Sequence, residues 1–301
     1  AARTDYRMLI RIGGETQGGN RCDITLFDAS QIRPLHRYKS ELDKQSNEEI
    51  SIDAFQTRLP DLPVSASSTC SLYHNDFILT VGGMGTAAQH KAYELDFSAE
   101  THEWKQCDTS KWKTQYSNTY GVKLCGIHAN NVLIIGGYSP PSSTNVVNLY
   151  QVGQRQDDDE QSGNAMETVP NMCVARYKPG CCYDAVRHRA FVGGGYGSAS
   201  EAKKTVEFLD LNKCEKWTQI VQETNDAHMF APVMWVDDAN PDIVYIAGAE
   251  VGDHSFSYLQ SIEQYDMRDN APWRIWKSLS ALFKDPQSAA WRSRALLTFT
   301  A

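Results

Sequence analysis

Short apolar runs that stop at glycine recur along this chain. The clearest is Phe77-Ile78-Leu79-Thr80-Val81, ended by Gly82-Gly83. Its length and β-branched content predict a buried strand. A small polar loop follows, then an alternating segment around Tyr93-Glu94-Leu95-Asp96, then Trp104. Four other segments repeat this order. Met8 to Ile12 precedes Gly13-Gly14 and is followed by Asp23 to Asp28; Val132 to Ile135 precedes Gly136-Gly137 and is followed by Val146 to Tyr150. Ala190 to Val192 precedes Gly193-Gly194-Gly195 and is followed by Val206 to Leu211 and Trp217. Ile243 to Ile246 precedes Ala247-Gly248 and is followed by Ile262 to Asp266 and Trp273 or Trp276. A further short segment leads each of the last four: Thr69 to Tyr73, Tyr120 to Leu124, Gly180 to Tyr183 and Pro232 to Trp235.

Each unit therefore predicts four short strands with polar turns between them, every 54 to 69 residues. Tight-hairpin signals such as His74-Asn75-Asp76, Asn130-Asn131 and Asn240-Pro241-Asp242 fall between first and second strands. Sheets that pack on both faces allow nearly continuous apolar inner strands, as at Val132 to Ile135. Glycine at the strand end permits positive φ and avoids a Cβ where neighbours crowd. The tryptophan covers the seam between units. These residues build the fold and are poor candidates for chemistry.

The glycine pair, the Tyr/Phe-Asp or Leu-Asp element and the spaced tryptophan resemble the kelch repeat. The resemblance covers essentially the whole chain, with departures: the first and third units lack the tryptophan, and the fifth has Ala247-Gly248 for Gly-Gly. It implies an all-β fold, a kelch-type β-propeller of four-stranded antiparallel blades, with residues 1–301 as a single domain. Glycine pairs count five blades, whereas six is usual in the family; the 69 residues from Gly13 to Gly82 are too few for two blades. The chain starts at a second strand, and Trp291 to Thr300 looks like the missing first strand, which would close the ring by pairing into the first blade. This arrangement resembles the kelch domains of BTB-kelch proteins.

Composition is that of a globular chain, 41% hydrophobic and 22% charged over 301 residues. No apolar run is long enough to span a membrane. The first residues carry neither an apolar signal core nor an initiator methionine, and we read the chain as an excised domain or a processed product. Eight dispersed cysteines without a C-x-x-C pair, and no Asn-x-Ser/Thr acceptor, predict free thiols and a cytoplasmic setting. Adjacent Cys181 and Cys182 on one strand would point to opposite faces. A formal charge of -8 disfavours nucleic acid. The polar insertion from His36 to Ile50 reads as a solvated excursion or an accessory partner surface, and Asp157 to Glu160 as a mobile acidic loop.

No catalytic signature survives inspection. Gly193 to Gly197 is followed by a β segment rather than the helix a phosphate loop needs, and neither H-E-x-x-H nor G-x-S-x-G occurs. No enzyme activity, cofactor or metal is expected. Function is expected on loops carried by the rigid scaffold. The kelch resemblance implies one face built from loops after the glycine pairs and loops leading into each first strand. Aligned from the glycines, these supply Arg21, His90, Lys91, Tyr138, Tyr196, Phe256 and Tyr258, together with Tyr116, Arg176, Tyr177, His228, Arg292 and Arg294. Arginine forks suit carboxylates, and tyrosines give rigid area with a polar tip, so an acidic or phosphorylated peptide is the expected partner. Arg176 and Arg292 equally fit structural ion pairs between blades. The resemblance implies a substrate-recognition domain of a cullin-RING ubiquitin ligase adaptor, its ligase-binding half lying in segments not in this chain. The alternatives are an actin scaffold, or a propeller enzyme similar to sialic acid mutarotases or copper oxidases.

Overall fold

In the computed structural model, the structure describes residues 8–16, 19–28, 56–58, 60–64, 69–83, 91–110, 112–113, 119–153, 169–197, 203–237, 239–248, 250–251, 257–258, 261–269 and 271–278. Those residues form an all-β molecule with no helix. The first sheet is β1 (Met8–Thr16), β2 (Gly19–Asp28) and β3 (Gln56–Arg58). The second is β4 (Cys70–His74), β5 (Phe77–Val81), β6 (Ala92–Asp96) and β7 (Trp104–Gln106). The third pairs β8 (Lys123–Gly126) and β9 (Asn131–Ile135), followed by a small hairpin of β10 (Tyr138–Ser139) and β11 (Ser142–Ser143), and then β12 (Val147–Gln151) beside β9. The fourth is β13 (Gly180–Asp184), β14 (Arg189–Gly193), β15 (Val206–Asp210) and β16 (Trp217–Gln219). The fifth contains β17 (Val233–Asp237), β18 (Asn240–Ala247), β21 (Ser261–Asp266) and β22 (Arg274–Ser278), with a hairpin of β19 (Glu250–Val251) and β20 (Ser257–Tyr258) inserted. All pairings are antiparallel, in the order first, second, third and fourth strand.

The glycine stops behave as expected in four units. In the first, β1 runs through Gly13-Gly14 to Thr16, and the pair is absorbed as a register shift between Ile12 and Gly14. A glycine bulge there replaces the strand end. The hairpin at Asn75-Asp76 holds both residues at positive φ, 48° and 64°, as a two-residue turn matching strand twist requires.

The core lies between the sheets. Leu79, Val81 and Val132 pack between the second and third, Leu133, Ile135 and Val192 between the third and fourth, and Phe191, Val244 and Ile246 between the fourth and fifth. Successive residues of β9 thus serve opposite faces, which is why Val132 to Ile135 is wholly apolar and fully buried. Each such side chain contributes about 1.5–3 kcal/mol relative to exposure. The first strands are neighbours in succession, β4 beside β8, β8 beside β13 and β13 beside β17. Cys181 and Cys182 enter different core clusters, as their alternation predicts.

The tryptophans have one repeated job. Trp104, Trp217 and Trp273 each donate their indole N–H to a carbonyl of the segment preceding their sheet: Pro60, Pro170 and Gln222. Of the two candidates in the fifth unit, Trp273 takes this place while Trp276 is 54% exposed. The His36–Ile50 insertion, Asp157 to Glu160 and Trp291 to Thr300 lie outside the described residues.

Candidate functional site: an aromatic rim at the glycine end of the sheets

The glycine pairs place the site. Gly136 and Gly194 have φ near 61° and 62°, and a Cβ on either would come within 2.4 Å of a backbone carbonyl, Arg176 O or His228 O. Only glycine lets the segment entering the next sheet pass this closely. The following amides use the proximity: Gly137 N–H donates to Arg176 O at 2.8 Å and Gly195 N–H to His228 O at 2.7 Å. One step outward, backbone bridges join Tyr120 to Tyr138 and Tyr177 to Tyr196. The crossing segments are also tied to one another, Lys178 N–H donating to Gly121 O and Ala231 N–H to Lys178 O, both at 2.8 Å.

These bonds gather five half-buried rings. Tyr138 and Tyr120 stand 5.4 Å apart, Tyr120 and Tyr177 5.5 Å, Tyr177 and Phe230 5.9 Å, Phe230 and Tyr196 5.2 Å. Such edge-to-face and stacked pairs add about 0.5–1.5 kcal/mol each beyond area burial. The Tyr177 ring lies on the backbone of Gly121, where any Cβ would strike it. Lys178 Nζ rides 5.2 Å above the Tyr177 ring and 5.8 Å above Phe230. Burial, and the neighbouring Tyr120, push the Tyr177 phenol well above its usual range; burial likewise raises Tyr120. Tyr120 and Tyr177 therefore stay neutral hydrogen-bonding groups at physiological pH. Tyr138 spends its hydroxyl on Pro141 O at 3.2 Å.

Of the residues expected to form the binding face, Tyr138, Tyr177 and Tyr196 are brought together here. Arg176 and His228 are not on that face, because their side chains are fully buried. All five guanidinium N–H groups of Arg176 are used: Nε and Nη2 on Glu207, Nη1 on Gly194 O and Thr205 O, Nη2 also on Thr205 Oγ1. Glu207 is fully buried and also accepts from the Cys173 and Val174 amides. His228 repeats the scheme, with Nε2 3.1 Å from Glu263, which takes the Asn225 and Asp226 amides. Arg176 is therefore engaged in a structural ion pair, but within its own unit, with Glu207 on β15, and not between neighbouring sheets as expected. Lys91 is half-buried and gives its carbonyl to Gly82 N–H. Arg21 lies on β2 opposite Gly14, and Tyr258 on β20 opposite Glu250. Tyr116, His90, Phe256, Arg292 and Arg294 lie outside the described residues.

Counting from the glycines misplaces one loop. It sets Tyr116 level with Tyr177, but Thr119 O meets Gly82 as Arg176 O meets Gly136, so Tyr120 is the true counterpart. Phe230 takes the ring position one residue beyond Met229, the register counterpart of Tyr177. Glu207 and Glu263 carry a readable signal: each is a lone acid three residues before the aspartate that ends its third strand.

No family model matches this chain, and no curated protein matches it. Among solved structures, the one titled "Structure of YjhT" aligns with a TM-score of 0.52 at 14% identity, covering 74% of this chain and 68% of that one. The likeness is one of fold.

Proposed function

We propose that this chain is a kelch-type β-propeller of five blades, closed by residues 291–300, that works as a protein-interaction module. The aromatic rim carries the reading: five half-buried rings in an unbroken row, at the end of the sheets where the loops cross, with a lysine over two of them. Rigid tyrosines give contact area at low entropic cost, and their hydroxyls give direction. With Arg176 committed to Glu207, the partner's chemistry is set by the rings, and Lys178 supplies the charge for an acidic or phosphorylated residue in an otherwise extended peptide. Free thiols at Cys70, Cys107, Cys125, Cys173, Cys181, Cys182 and Cys214 fit a reducing, cytoplasmic setting. On the resemblance to BTB-kelch proteins, the bound peptide is a substrate segment presented to a cullin-RING ligase by segments not in this chain.

The test is selection from a displayed random-peptide library on the immobilised protein, followed by titration of the winning peptide. Tyr138→Ala with Tyr196→Ala should weaken binding at least tenfold, about 1.4 kcal/mol, measured at a temperature where circular dichroism shows the double variant fully folded. Peptides that bind the double variant as tightly as the parent would remove the rim from consideration.

A further inference from the structure

We propose that Cys125 and Cys181 are an oxidative modification site, joined by a disulfide that staples two neighbouring sheets through their first strands. Cys125 lies on β8 and Cys181 on β13, strands that sit side by side without backbone pairing. Both side chains belong to the cluster between the third and fourth sheets. Cys181 donates its S–H to Leu124 O at 3.3 Å, the carbonyl next to Cys125. Each thiol shifts the titration of the other, so the two sulfurs interact across the seam. Cys125 is buried and Cys181 only slightly less so. The chemistry is polarised. The interaction with Cys125 holds the Cys181 thiol below the usual range against the opposing effect of burial, and Lys123, on the Cys125 face of β8, acts in the same direction. Cys125 is held up by that same interaction and by burial. A thiol held low beside a partner held high is the arrangement of an attacking and a resolving cysteine.

The step needs a two-electron oxidant, for which hydrogen peroxide serves. The Cys181 thiolate attacks one peroxide oxygen; an S–O bond forms, the O–O bond breaks, and the departing hydroxide takes the thiol proton as water. The Cys125 sulfur then attacks the Cys181 sulfur, the S–O bond breaks, and hydroxide leaves with the Cys125 proton as a second water. Two thiols and one peroxide give one disulfide and two waters.

To test this, the protein is treated with hydrogen peroxide, remaining thiols are alkylated, and unreduced digests are mapped by mass spectrometry. The expected product is one cross-linked pair of peptides containing Cys125 and Cys181, lighter by two hydrogens. Closing the long loop between them should raise the melting temperature by about 5 °C or more, reversibly with dithiothreitol. Cys125→Ser or Cys181→Ser should abolish the shift, and Cys182→Ser should keep it. A Cys181–Cys182 or Cys70–Cys181 product, or sulfinic acid at Cys181 without a cross-link, would overturn the assignment. The wild-type map decides this even if a variant fails to fold.

Discussion

Replacing Glu207 by alanine should cost this fold about 3–5 kcal/mol, the usual penalty for stranding one member of a buried ion pair. The structure shows why. The Arg176 and Glu207 side chains both have no solvent exposure. The Glu207 carboxylate accepts from the Cys173 amide at 2.6 Å, the Val174 amide at 3.1 Å, and Arg176 Nε and Nη2 at 3.3 and 2.9 Å. Its removal orphans two backbone N–H groups and leaves a guanidinium charge facing a void, with each unpaired buried donor worth about 1–3 kcal/mol. Arg176→Met should cost a similar amount, since it strands the carboxylate and frees Gly194 O and Thr205 O. Combining Arg176→Met with Glu207→Leu should cost clearly less than the sum, because apolar replacement of both charges removes the desolvation penalty. Urea unfolding followed by tryptophan fluorescence gives all corners of the cycle. Single losses below about 1 kcal/mol that simply add would refute the reasoning and return Arg176 to the list of ligand-binding residues.

Three further outcomes follow from the same geometry. Burial raises the Glu263 carboxyl, but hydrogen bonds from His228, Asp226 and Asn225 outweigh it and leave it below its ordinary value. That stabilisation is present above the unfolded value near about 4.3 and is lost as pH falls through the folded one. Urea midpoints between pH 7 and 3 should therefore fall less steeply in Glu263→Gln. Gly136→Ala and Gly248→Ala impose similar left-handed strain of about 1–2 kcal/mol, but only the first drives a Cβ into Arg176 O; Gly248 meets nothing within 4 Å. Denaturation should show Gly136→Ala the costlier by about 1 kcal/mol or more. Trp217→Ala should lose about 3–5 kcal/mol, and the exposed Trp276→Ala less than about 1 kcal/mol, both read from melting midpoints.

The fold was legible because its signals are local and repeated. Glycine ends at Gly82, Gly136 and Gly194, apolar second strands and the Asn75-Asp76 turn each follow from a few adjacent residues. Gly13-Gly14 escaped because a bulge and a strand end place the same demand on a glycine. The site was only partly legible, since burial depends on partners distant in sequence. Arg176 looks like a surface arginine until Glu207, 31 residues on, is seen to consume its donors. Tyr120 was obscured by a loop of unequal length, where counting from the glycines slips by several residues; Phe230 was missed because the ring stands one residue beyond Met229, the register counterpart of Tyr177. The bonds that set the true register, Gly137 to Arg176 and Gly195 to His228, run through backbone atoms. Such bonds leave no mark on side-chain identity.

The claim that the aromatic rim is the recognition surface can be tested on the rings themselves. Fluorine-labelled tyrosine, assigned by single Tyr→Phe replacements, reports each ring while the selected peptide is titrated in. Resonances of Tyr120, Tyr138, Tyr177 and Tyr196 should move together and saturate with the binding isotherm. Tyr73 and Tyr183, near the hairpin turns at the other end of their strands, should stay still. Movement of Tyr73 or Tyr183 with a silent rim would contradict the account.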